Sequence, residues 1–283
     1  MTKTFCLLLA FVAAASAQTW ESAGFLDLPK TGDVSAVAAS PDGSLYVLQR
    51  GNPPVLKFDA KGKFVQGFGD GLFQVAHGLR VDRQGNVWTT DNANHAVRKF
   101  SPEGKLLLTL GQAGVAGNDP AHFRSPDDVV FNAAGDIYVA DAGNARIVRL
   151  RANGTFIQAW GSKGKGPSQF ALAHSLAIDE RGYIYVGDRG NNRIQVFEPG
   201  GKMSAVFGEF GNPFGLLIAD DQLFISDGDA HKILQFTLAG APLGSWGTPE
   251  TLHLPHMMTM DGKGTLYVAE VKGGRVQKFR KKN

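Results

Sequence analysis

Ser175-Leu-Ala-Ile-Asp-Glu-Arg-Gly-Tyr-Ile-Tyr-Val-Gly-Asp188, continuing as Arg-Gly-Asn-Asn-Arg-Ile194, decides the architecture of this chain. Two short apolar runs flank a Gly-containing turn, and the second run ends in an acid. Period-two alternation rich in Val, Ile and Tyr marks half-buried strands, and the segment between them is turn chemistry. The unit recurs as Asp128-Val-Val-Phe-Asn-Ala-Ala-Gly-Asp-Ile-Tyr-Val-Ala-Asp141 and as Gly78-Leu-Arg-Val-Asp-Arg-Gln-Gly-Asn-Val-Trp-Thr-Thr-Asp91. Its second strand begins at Leu45, Val87, Ile137, Ile184, Leu223 and Leu266, at intervals of 42, 50, 47, 39 and 43 residues. Such intervals fit one four-stranded blade per repeat. A helical repeat needs longer segments of 3.6 period, and proline and glycine recur too often for those. The expectation is an all-β, six-bladed β-propeller.

Closure is legible at the two ends. Earlier repeats finish in an outer strand such as Gly62-Lys-Phe-Val-Gln-Gly-Phe-Gly69 or Gly154-Thr-Phe-Ile-Gln-Ala-Trp-Gly161. The sixth stops at Arg275-Val-Gln-Lys-Phe279, whereas Trp20-Glu-Ser-Ala-Gly-Phe-Leu26 resembles the missing piece. An N-terminal strand that completes blade six would seal the ring and protect strand edges. Residues 18–283 then form a single domain.

Residues 1–17 fall outside that domain. Lys3, the apolar run Phe5 to Ala15 and Ala15-Ser16-Ala17 fit a cleavable signal peptide. The expected location is secreted or periplasmic. Cys6 is the one cysteine, so residues 18–283 hold no disulfide. Losing Lys3 leaves 29 − 1 = 28 basic against 26 acidic residues, an excess matched by the tail Arg280-Lys281-Lys282. No basic stripe points to nucleic acid, and no later run is apolar enough to imply a membrane span. A monomer is expected.

His77, His174 and His256 each stand ten positions before the first apolar residue of a second strand (Val87, Ile184, Leu266). They occupy alternating repeats, so a closed ring of six would aim three imidazoles at one point on its axis. Three imidazoles with an open position are the donor set of a catalytic zinc site. In the same register, Asp127 belongs to blade three, Ser35 to blade one and Phe214 to blade five. An axial Asp127 carboxylate could be a fourth ligand, a general base or a turn residue. The repeated Asp91, Asp141, Asp188, Asp227 and Glu270 read as turn anchors, with Arg146 and Arg193 as their partners. His95 and His231 share a surface-turn position with Ala145 and Asn192, and read as structural, as do His122 and His253.

Asp141-Ala-Gly-Asn-Ala-Arg-Ile147 and Asp188-Arg-Gly-Asn-Asn-Arg-Ile194 resemble the NHL repeats of a propeller family. A narrower resemblance is to the peptidyl-α-hydroxyglycine α-amidating lyases. It rests on the stretch from His77 to Phe100, on Ala173-His174-Ser-Leu-Ala-Ile178, on Leu254-Pro255-His256 and on Gln49-Arg50-Gly51. The resemblance implies zinc on the three histidines, an active-site role for Arg50, and calcium on the carbonyls of Val37 and Leu79. It also implies cleavage of a carbon–nitrogen bond at a hydroxyglycine end, giving peptide amide and glyoxylate. Arg50 could hold the carboxylate in bidentate fashion.

Three positions depart from the lyase pattern. Met257 stands where the calcium carboxylate belongs, Leu254 replaces a methionine, and Asp141-Ala142-Gly143-Asn144 offers no catalytic tyrosine. Proton abstraction is left to Asp127, to a metal-bound hydroxide or to no group at all. Two functions therefore compete: a metal-dependent lyase acting on a small-molecule or peptide C-terminal substrate, and a non-catalytic propeller that binds a protein or glycan partner on its rim.

Overall fold

The computed structural model describes residues 19–29, 32–208 and 211–282. The signal peptide expected at residues 1–17 lies outside them. Six four-stranded antiparallel sheets make the six blades. Their innermost strands are Val34–Ala39, Ala76–Val81, Pro126–Phe131, Ala173–Ile178, Pro213–Ala219 and Pro255–Met260. Each packs on the next and the sixth packs on the first, so the ring closes.

The closing strand is the N-terminal one. Trp20–Phe25 pairs antiparallel with Arg275–Lys281 as the outermost strand of blade six, with Trp20 opposite Lys281. Trp20 anchors it: the indole is 7% exposed, stacks on Trp246 at 5.3 Å and meets Phe224 edge-on at 5.7 Å. Burying a ring of this size contributes about 3 kcal/mol. The two ends of the chain thus complete a sheet that neither completes alone.

Alternating residues of the strands face the sheets on either side, and the core fills the gaps between blades. Tyr46, Leu48, Phe68 and Val87, for example, join blades one and two, and Tyr138, Ile147, Phe170 and Ile184 join three and four. The hairpin from first to second strand is set by its turn. In blade two the Gly85 N–H donates to the Asp82 carbonyl at 2.9 Å with φ at +83°, a conformation that favours glycine. Blade five departs from this pattern. There Ala219 pairs with Gln222 across Asp220 and Asp221, at φ +50° and +55°, a two-residue turn of the I′ kind. This tighter turn explains why Phe214 stands nine rather than ten positions before Leu223.

The acids at the ends of the second strands are architectural, as expected. Asp141 accepts from Arg146 Nε at 2.7 Å and Asp188 from Arg193 Nε at 2.9 Å. Asp91 pairs with Arg98 and Glu270 with Arg275. His95, Ala145, Asn192 and His231 all adopt positive φ at equivalent turns, between +51° and +56°.

Candidate metal centre

Every inner strand has an irregularity at its second residue. The first residue pairs with the last residue of the second strand, and then the register shifts in all six blades. A bulge re-aims one side chain, and the six residues so placed are Ser35, His77, Asp127, His174, Phe214 and His256. The register read from the sequence is the register of the fold.

The three histidines are brought together. They are 7%, 2% and 3% exposed, their ring centroids lie 4.8 to 5.1 Å apart, and the planes cross at 77° to 79°. Three of their nitrogens, one per ring, fall within 4.8 Å of one another. Ligands of a tetrahedral zinc stand roughly 3.4 Å apart.

Backbone carbonyls fix the rings. His77 Nδ1 lies 2.8 Å from the Asp127 carbonyl, His174 Nδ1 2.6 Å from that of Phe214, and His256 Nδ1 2.6 Å from that of Ser35. A carbonyl only accepts, so each Nδ1 carries a proton, and in the neutral ring the lone pair is on Nε2. The acceptor is always the corresponding residue of the next blade, which gives the site its three-fold pattern. Gly78 permits the approach: a Cβ there would come within 2.5 Å of the Asp127 carbonyl oxygen. Burial, then the neighbouring imidazoles, then Arg189 hold His174 well below the ordinary histidine range. Burial, His77, Arg50 and Arg189 do the same for His256. Three buried imidazoles with every Nδ1 held by a backbone carbonyl are a metal-ready donor set.

The polar groups around the triad come from a second repeated position, the residue just after the second strand. It is Arg50 in blade one, Asn92 in blade two and Arg189 in blade four. Arg50 lies 3.8 Å from the Asp33 carboxylate and points Nε towards the Ala76 carbonyl at 3.5 Å. Arg189 was not singled out in the sequence, although it shares the register of Arg50. Its guanidinium lies over the Phe214 ring at 3.7 Å, and burial lowers its pKa against the pull of Asp229 and Asp127. Among the described residues its side chain makes no hydrogen bond. Two cations thus stand three blades apart on either side of the triad.

Asp127 is 4% exposed and its carboxylate is held by Asn92 Nδ2. Burial raises its pKa to about 6, against the lowering effects of His77 and Asn92. Val37 and Leu79 are the fourth residues of the inner strands of blades one and two. The calcium implied with them does not fit the residues present. Met257, 1% exposed, is packed with Ala36 and Leu79 in an apolar cluster and supplies no charge for a hard cation. Ala142, Gly143 and Asn144 form a turn of 3-10 helix after the Asp141 strand, and Asn144 Nδ2 binds the Asp141 carboxylate.

NHL-repeat models match residues 73–100, 123–150 and 170–197, which carry the second, third and fourth blades. Human NHL repeat-containing protein 3 is 31% identical over 279 residues, covering 88% of this chain and 80% of that protein. The chain belongs to the NHL-repeat family. A probable peptidyl-α-hydroxyglycine α-amidating lyase of Caenorhabditis elegans is 40% identical over 97 residues, 34% of this NHL-repeat chain and 28% of the lyase. The chain spans only 18% of the peptidyl-glycine α-amidating monooxygenase B of Xenopus laevis that it also matches. A streptogramin B lyase structure superposes with a TM-score of 0.70 at 16% identity, over 93% of this chain and 98% of that one, and shares the fold. No helix among the described residues is long and apolar enough to cross a membrane.

Proposed function

We propose that this NHL-repeat propeller is an exported, zinc-dependent carbon–nitrogen lyase of the peptidyl-α-hydroxyglycine amidating type. The observation that carries the reading is the commitment of all three Nδ1 atoms to backbone carbonyls, which leaves three Nε2 lone pairs for one ion. Likeness to named amidating lyases supports the reaction class.

When bound, zinc on His77, His174 and His256 supplies a Lewis acid for the oxygens of the substrate. Arg50 and Arg189 bracket the substrate carboxylate from opposite sides of the ring. Phe214 holds the Arg189 guanidinium in place from below. Asp127 accepts the hydroxyl proton as the carbonyl of glyoxylate forms. The carbon–nitrogen bond breaks, its electron pair goes to the amide nitrogen, and that nitrogen takes up the proton that Asp127 accepted. Asn92 orients the Asp127 carboxylate for this step.

Glyoxylate release from a synthetic peptidyl-α-hydroxyglycine tests the reaction. Asp127→Asn should lower kcat about 100-fold with metal content unchanged. A zinc-loaded protein that releases no glyoxylate would leave the second reading. That reading is a non-catalytic propeller with a protein or glycan on its rim, and it needs only the repeat architecture shared with NHL repeat-containing protein 3.

A further inference from the structure

Two residues below the triad along the inner strands, Arg80 reaches across the centre of the ring. Arg80 leaves the inner strand of blade two and forms a bidentate pair with Asp128 of blade three, Nε to Oδ1 at 3.0 Å and NH2 to Oδ2 at 2.6 Å. The same NH2 group donates to the Leu176 carbonyl of blade four at 2.9 Å and reaches the Leu216 carbonyl of blade five at 3.3 Å. Asp128 is fully buried, and its carboxylate also accepts the N–H groups of Val129 at 2.8 Å and Leu176 at 2.9 Å. One guanidinium and one carboxylate therefore tie four consecutive blades together.

The level at which this occurs is informative. Leu176 and Leu216 are the fourth residues of their inner strands, two residues deeper than the triad. Val37 and Leu79, the carbonyl ligands implied for calcium, are the fourth residues of theirs. On the blade-six side Met257, the third residue of its inner strand, is packed with Ala36 and Leu79 and offers no charge to a hard cation. On the other side the Arg80 guanidinium is already in place, and its positive charge would repel a divalent ion beside it.

We propose that Arg80 is a built-in replacement for a structural divalent cation. Its guanidinium neutralises Asp128, satisfies carbonyls of two further blades and closes the channel, so the propeller is calcium-independent. Arg80 also floors a recess of about 180 Å³ at the far mouth, lined by Val81, Phe131, Ile178, Leu217 and Ile218, and separates that mouth from the triad. The inference does not depend on the lyase reading, because it concerns a different layer of the ring and a different ion.

Thermal unfolding and isothermal titration of the wild-type protein with calcium chloride make the first test. The expected result is no saturable heat and no change in Tm at millimolar calcium; saturable binding or a rise in Tm overturns the proposal. Arg80→Ala should melt several degrees lower, and calcium, inert towards the wild type, should restore part of the loss. That gain should vanish when Asp128→Asn is added. An Arg80→Ala protein as stable as the wild type also overturns the proposal. If Arg80→Ala does not fold, the wild-type titration still decides.

Discussion

His174 Nδ1 lies 2.6 Å from the backbone carbonyl of Phe214, whose ring carries the Arg189 guanidinium at 3.7 Å. One residue of blade five thus sets the tautomer of a candidate ligand through its backbone and positions a candidate anion-binding group through its side chain. The candidate metal ligands and the candidate anion-binding group share the same bulge.

Phe214→Ala keeps the carbonyl and removes the platform. Metal content should be unchanged, while Arg189 loses a cation–π contact of about 2 kcal/mol in a desolvated setting. KM for a hydroxyglycine peptide is expected to rise about 10-fold or more. Steady-state kinetics beside zinc analysis of the same preparation checks this, and loss of zinc would contradict it.

Arg50→Ala and Arg189→Ala should each lower kcat/KM by about 10- to 100-fold, the range of one charge-assisted hydrogen bond. Arg50 is exposed and Arg189 half-buried, so Tm should stay within a few degrees. A substrate whose carboxylate is replaced by a carboxamide should lose most of this sensitivity. Equal sensitivity with both substrates would remove the anion-binding role.

The ring was legible because the blades repeat. A ten-residue offset marks the axial position in the sequence, and the bulge at that position is its physical basis. Arg189 and Asn92 stand where Arg50 stands, one residue past the second strand, a register that the offset from the inner strand does not mark. Blade five hides its offset behind the Asp220-Asp221 turn. The Arg80 clamp has no signature of this kind. Its carbonyl partners are 96 and 136 residues away in sequence, and only the closed ring brings them within reach.

Trp20→Ala should destabilise the whole ring, by about 3–5 kcal/mol, because the lost indole leaves a cavity between blades five and six. Denaturant unfolding should remain one cooperative transition with a lower midpoint. A separate early transition for blade six would show that the closing strand is not coupled to the rest.

Asp82 supports stability with a defined pH dependence. Burial alone would raise its pKa, but hydrogen bonds from Trp88 and Asn86 and the charge of Lys99 hold it below 3.8. A carboxylate depressed in the folded state contributes stability above its unfolded value and loses it as pH falls through the folded value. Asp82→Asn should therefore lower Tm at neutral pH, and the difference from wild type should shrink as pH falls below 3.8. Paired melting curves across that range test the sign, and a difference that grows on acidification would contradict it.

The most direct measurement of the central claim is the metal content of purified protein beside His77→Ala/His174→Ala. About one zinc per wild-type chain, absent from the double variant, is the predicted result for a tri-imidazole site. Wild-type protein that holds no metal after incubation with zinc would contradict it and leave a propeller whose axial histidines are packing alone.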